Sequence, residues 1–166
     1  AFGIAAGSVG FAIASRAGTG PMPGEPSVEA RSRARIGCER GLRLLEGGHP
    51  AEAALALRAA CEADPTYSPA ALALARAHGA LGELDAADRV LAGLLAREPG
   101  HREGRLARGD VLGRLGDSAA EDGRPDDARA AWIRSRRILE GVAADHPDDA
   151  AAFRALARVA GRLGDR

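Results

Sequence analysis

Four histidines and two cysteines are the residues best suited to bind a metal or act as nucleophiles, and their spacing suits neither role. His49 and His146 each precede a proline, His101 follows Pro99-Gly100, and His78 falls at a core position of a helix. None stands at ligand spacing from another His or a Cys, and no H-E-x-x-H occurs, so no metal site is expected. Cys38 and Cys61 form no C-x-x-C pair, which removes zinc knuckles, thioredoxin-type redox and c-haem attachment. A Cys38–Cys61 disulfide would require an oxidising compartment and close Cα atoms. Two small thiols packed inside helices is the simpler account.

Other chemistry is equally unsupported. No G-x-x-x-x-G-K-[ST] loop and no G-x-S-x-G elbow occurs. The pairs Asp126-Asp127 and Asp148-Asp149 lie at helix starts, where carboxylates complement the helix dipole. Arg134, Arg136 and Arg137 could meet phosphates or an acidic partner, but a solvated helix face explains them as well. No catalytic, cofactor-binding or metal residue is assigned, and the chain is not expected to be an enzyme.

The elements that would position any site are helical. The 166 residues are 46% hydrophobic but only 3% aromatic, with Ala, Leu, Gly and Arg dominant. Small apolar side chains let helices approach closely, and β-branched residues are too few for a large sheet. The 23 basic residues, all Arg as a GC-rich genome would encode, balance 23 acidic ones. That balance gives no global attraction to nucleic acid, and no nucleic-acid partner is expected.

Internal periodicity is the strongest signal. Gly48, Gly82 and Gly116 are 34 residues apart, as are Gly41, Ala75 and Gly109, and Leu44, His78 and Leu112. Ala53/Ala87, Leu57/Leu91 and Pro65/Pro99 keep the same 34-residue interval. Each set has a physical role. Gly41, Ala75 and Gly109 are small so that a second helix, carrying Ala53 and Ala87, can come close. Gly48 and Gly82 end a first helix in a left-handed turn. Pro65 and Pro99 stop second helices, while Pro50 and Pro69 sit where a starting helix tolerates proline.

This pattern resembles the tetratricopeptide repeat family. Gly41, Leu44, Gly48, Ala53, Leu57, Ala60 and Pro65 carry the resemblance in one unit. Leu74, Ala75, His78, Gly82, Ala87, Leu91 and Pro99 carry it in the next. The resemblance spans residues 34–166 and specifies fold far more than function. It implies an all-α, right-handed superhelical solenoid of antiparallel helix pairs, here preceded by a single apolar N-terminal helix. His78 departs from the usual large aromatic or Leu. Arg105 and Arg108 occupy sites that are usually apolar, so the third unit is expected to end the regular stack or to pack differently.

The third unit is also longer. Pro99 to Pro147 is 48 residues, 14 more than the period, and the turn signal Gly123/Ala128 comes seven late. Each helix should therefore gain seven residues, giving a protruding hairpin over 101–145 with arms 101–122 and 125–145 and Trp132 in its seam. Asp148 to Gly164 repeats the first-helix pattern with Phe153, Leu156, Ala157, Ala160 and Leu163, as a cap or half of a fourth unit. The opening helix is expected at 27–47, with Ser27 as N-cap.

In the family, first helices line a concave groove that binds a peptide or a partner protein. By that resemblance the groove here would carry Arg35, Cys38, Leu42, Leu45, Leu72, Arg76, Leu106 and Asp110. Some members hold the C-terminal carboxylate of heat-shock chaperones through Lys, Asn and Arg. Cys38 and Leu42 stand where the Lys and Asn would be needed, so that clamp is not made. An extended or helical apolar segment is the expected ligand, against the plainer possibility that these leucines only pack neighbouring helices.

Residues 1–15 carry no charge, and Arg16 ends the run. A helix of that length would rise about 22 Å, short of the bilayer core of about 30 Å, so 1–16 is expected to be all or part of a membrane or signal-anchor helix. Gly3 and Gly7, with Ala6 and Gly10, give the small-x-x-x-small faces through which membrane helices pack. A signal-peptide remnant and a buried helix of the domain are the alternatives. Residues 16–26 hold three Pro and three Gly in eleven, so 17–26 reads as a linker to a repeat domain over 27–166.

The chain lacks an initiator Met and stops where a turn and partner helix should follow, so a longer natural chain is expected. The expected function is a protein-binding scaffold, membrane-anchored in a multisubunit complex. The alternative is an assembly factor resembling the repeat proteins of bacterial cytochrome c biogenesis, which bind apoprotein. A third is an enzyme whose catalytic part lies elsewhere. A single N-terminal anchor of the bacterial inner membrane usually leaves its domain extracytoplasmic, the placement expected here. Arg16, Arg31, Arg33 and Arg35 pull the other way.

Overall fold

The computed structural model describes residues 26–164. The expected anchor 1–16, its packing residues Gly3, Gly7 and Gly10, and the linker before Pro26 lie outside them. Seven helices follow one another: α1 (Val28–Glu46), α2 (Pro50–Ala63), α3 (Ser68–Ala80), α4 (Leu84–Arg97), α5 (Arg102–Glu121), α6 (Pro125–Asp145) and α7 (Ala150–Leu163). Each packs on the next, and α1 also touches α3, α3 touches α5 and α5 touches α7. The first helices of the pairs therefore share one side of an all-helical solenoid. No described helix is long and apolar enough to cross a membrane.

The helix ends follow from turn chemistry. Ser27 accepts a hydrogen bond from the Ala30 N–H at 3.1 Å and caps α1. Gly48 and Gly82 both have φ +77°, and Gly123 has φ +72°. That left-handed turn lets the N–H three residues past the helix reach back, as His49 does to the Leu44 carbonyl (2.9 Å) and Glu83 to that of His78 (2.9 Å). Prolines 50 and 125 begin α2 and α6, where no intrahelical donor is needed.

The closeness of each pair is set by residues without a side chain. A Cβ on Gly41 would lie inside Leu57, and one on Gly109 would stand 2.6 Å from Leu139 Cδ2. In the middle pair, Ala75 packs with Leu91. Leu57, Leu91 and Leu139 are fully buried at these contacts. Their burial removes roughly 1.5–3 kcal/mol of apolar exposure each.

The third pair differs as its sequence demands. Helix α5 has 20 residues against 13 in α3, and α6 has 21 against 14 in α4, seven more in each arm. Gly116, in phase with the turn glycines, lies inside α5 and is buried against Trp132. The long hairpin thus repeats the small-on-large contact: Gly109 under Leu139, then Gly116 under Trp132 two turns on. The indole N–H donates to the Gly113 carbonyl (3.2 Å) and to Asp117 (3.0 Å). Buried Ser135 donates to the Gly109 carbonyl at 2.6 Å.

The two arginines at normally apolar sites do not end the stack. Arg105 lies over Gly141 and pairs with Asp145, while Arg108 pairs with Asp88 at 2.7 Å. Helix α7 then docks with Ala152, Ala155 and Val159 buried. Of the residues expected on its packing face, Leu156 and Leu163 pack inward, but Phe153 is 50% exposed and Ala157 is exposed. Asp149 fastens the start of α7. It accepts from the N–H groups of Ala151 (2.9 Å) and Ala152 (3.2 Å) and from Arg102 Nε (2.8 Å).

Two outcomes follow. Gly109→Leu should cost about 1–3 kcal/mol through overpacking, and Leu139→Ala alone about 2–5 kcal/mol. The double variant should lose less than the two combined, in urea unfolding followed by the fluorescence of Trp132, the single tryptophan. Strict additivity would contradict the contact. Second, burial pushes the Asp149 carboxyl up, but the Ala152, Arg102 and Ala151 donors outweigh it and hold its pKa below the ordinary aspartate value. Its stabilisation is present above about pH 4 and is lost as pH falls through the lowered native value. Asp149→Asn should therefore be less stable than wild type at neutral pH and lose less on acidification, as urea midpoints at both pH values would show.

Candidate groove and its charges

The side shared by α1, α3 and α5 is a groove. One hollow of about 350 Å³ is lined by Leu42, Pro69, Leu72 and Ala73, with Arg76, Glu103 and Ala107 at its edges. Another, about 390 Å³, is lined by Leu45, Ala75, Gly79, Val111 and Arg114 among others. Arg76 and Ala107 border both, so the two hollows are neighbours.

The residues picked out by sequence separate into two groups. Leu42, Leu45, Leu72, Arg76 and Asp110 come together on this groove. Leu42 and Leu45 are only half-buried against the first core cluster, and Leu72 against the second, which leaves apolar surface open in the groove. Arg35, Cys38 and Leu106 line neither hollow. Cys38 is buried in the core between α1, α2 and α3. Leu106 turns toward Leu139, Ala155 and Val159. Arg35 is exposed. Cys38 and Leu106 share a helix face with Leu42 and Asp110 one turn away, but at their level that face is covered by neighbouring helices.

Glu103, Ala107 and Arg114 were not picked out by sequence. They recur with Asp110 at spacings of four, three and four on α5, the stripe of a single helix face, and that is the signal that marks them. Gly79 also matters. Arg114 donates to its carbonyl at 2.8 Å, and a Cβ there would stand 3.1 Å from the guanidinium.

Four charged residues line the groove: Arg76, Arg114, Glu103 and Asp110. Arg158 of α7 pairs with Asp110 at 2.9 Å, and Arg162 pairs with Asp117. Arg114 bonds a carbonyl rather than a carboxylate. Arg76 has no hydrogen bond or ion pair among the described residues. The apolar floor thus carries two guanidiniums without an acid partner, and Glu103 without a basic one among the described residues.

Elsewhere the polar side chains have structural partners. The His101 ring accepts from the Gly104 N–H (3.1 Å) and caps α5, while buried His78 meets Glu83 at 2.6 Å. No group of three or more His, Cys, Asp or Glu among the described residues could hold a metal. Cys38 and Cys61 are free thiols. Burial and then the neighbouring Glu39 raise the pKa of Cys38, and burial above all pushes Cys61 up to about 11.

The tetratricopeptide repeat family model matches residues 44–110. No curated protein matches the sequence. Among solved structures, the first repeat domain of Spaghetti (RPAP3) bound to the HSP90 peptide SRMEEVD is 17% identical with TM-score 0.67, over 81% of this chain and 95% of that one. A thermophilic tetratricopeptide repeat protein of Thermus thermophilus is 20% identical with TM-score 0.68, over 80% of this chain and 66% of its own. The Yersinia enterocolitica type III secretion translocator chaperone SycD is 11% identical with TM-score 0.58, over 82% and 98%. At these identities the likeness is one of fold: the described residues form a tetratricopeptide-like solenoid.

With its pKa near 11, Cys61 is almost wholly protonated at neutral pH, and Cys38 is buried. An aromatic disulfide reagent should release its full two equivalents only after denaturation. Fast reaction of both thiols in the native protein would contradict the burial.

Proposed function

We propose that this protein is a non-enzymatic interaction scaffold whose groove between α1, α3 and α5 receives an apolar segment of a partner protein. The observation that carries the reading is the half-open apolar floor of Leu42, Leu45 and Leu72, left on the one side where three first helices come together. Apolar surface of that kind gains free energy when a partner covers it. The Spaghetti domain bound to an HSP90 peptide is a precedent for a peptide complex in this fold. The same C-terminal clamp is not proposed here, since Cys38 lies in the core and Leu42 is apolar.

The proposal extends to the residues outside the described structure. The uncharged stretch 1–15, with Gly3, Gly7 and Gly10 at helix-packing spacing, would hold the scaffold at a bacterial inner membrane, with the repeat domain on the extracytoplasmic side. There it would stabilise a multisubunit membrane complex. Transient capture of an apoprotein, as in cytochrome c maturation, is the alternative outcome of the same experiment.

The test is to fractionate cells expressing the full tagged chain and purify it in mild detergent. The expected result is a membrane fraction from which defined partners co-purify in fixed ratio. Deleting 1–15 should release the protein, and Leu42→Asp with Leu72→Asp should weaken partner retention by about tenfold or more. Partners that appear only during synthesis of the target complex would favour the maturation role. A soluble, free monomer with 1–15 intact would overturn the membrane scaffold.

A further inference from the structure

We infer that the segment taken up by this groove is a protein segment bearing an acidic side chain about one helical turn from an apolar anchor. The inference rests on the groove being the partner-binding face, and it adds the chemistry of the partner.

The apolar end of the groove is the hollow walled by Leu42, Pro69, Leu72 and Ala73. It suits a leucine-sized side chain. Four residues further along α3 stands Arg76, which borders both hollows and has no partner among the described residues. Four residues of helix advance about 6 Å, so the cation lies one turn from Leu72. Arg114 borders the second hollow from α5 and donates to the Gly79 carbonyl rather than to a carboxylate. Asp110, the acid of the second hollow, is engaged by Arg158.

Two guanidiniums beside an apolar floor favour a carboxylate, because a planar guanidinium matches it in two-pronged, charge-assisted geometry. An acid shares the leucine-lined hollow with Arg76. Glu103 borders the leucine-lined hollow and has no partner among the described residues. A second acid at the apolar end would be repelled, which fixes the direction of the segment: apolar anchor by Leu72, acid toward Arg114. No aromatic side chain lines either hollow, so the stacking platforms of single-stranded nucleic acid sites are missing.

The experiment is selection of a displayed random peptide library, about 12 residues per peptide, on the full chain. Binders should be enriched for Asp or Glu three or four residues from Leu, Ile or Met. A selected peptide whose acid is replaced by its amide should bind about tenfold more weakly. The charge-reversed pair, Arg76→Glu with a Lys-substituted peptide, should regain binding that each change alone removes. Arg76 is exposed, so the variant should keep its unfolding midpoint, which reports that the fold is intact. Binders lost with Leu72→Asp but showing no acid preference would overturn the inference and leave the groove reading standing. No enrichment, or enrichment indifferent to Leu72→Asp, would overturn both.

Discussion

A glycine or alanine facing a leucine across each antiparallel pair is the contact on which the rest of this structure depends. Leu57 occupies the space a Cβ on Gly41 would fill, and Leu139 occupies that of Gly109. The two axes can then approach closely enough for dispersion contacts to replace water over the whole seam. That spacing also sets the width of the solenoid. With second helices drawn tightly against first ones, α1, α3 and α5 fall into contact along one side. The groove is a consequence of this geometry before any residue in it is chosen.

The long hairpin shows how the constraint scales. Adding seven residues to each arm preserves the face of each helix to within about 20°. A second small-on-large contact, Gly116 with Trp132, therefore falls in the same seam as Gly109 with Leu139. Here the large residue carries a polar atom, and the Gly113 carbonyl and Asp117 satisfy it. Asp117 in turn holds Arg162 of α7. The extension is thereby bound into the stack at the level where α7 packs.

Charged residues do in the third unit what apolar ones do in the first two. Arg108 reaches Asp88 and Arg105 reaches Asp145, each pair partly shielded by neighbouring helices. Such pairs contribute less than a buried leucine but add direction to the packing. In the groove, Asp110 is engaged by Arg158 of α7, while Arg76, Arg114 and Glu103 have no ion-pair partner among the described residues.

The helix pairs and their turns were legible in the sequence because their causes are local. Gly48 must leave a helix with positive φ, Pro50 can only begin one, and a 34-residue recurrence of Gly41 and Ala75 signals a repeated close contact. The extra seven residues per arm were legible too, since the displaced Gly123 and Pro147 mark where each arm ends. The partition of the candidate groove was not. Leu72 and Leu106 are one period apart, yet the first borders the open hollow and the second packs toward α7. Phe153 has the spacing of a core residue and is half exposed. Periodicity states which residues share a helix face, but the tertiary structure decides which neighbour that face meets, because an ion pair or a docked helix from more than 40 residues away, such as Arg158 on Asp110, supplies the partner.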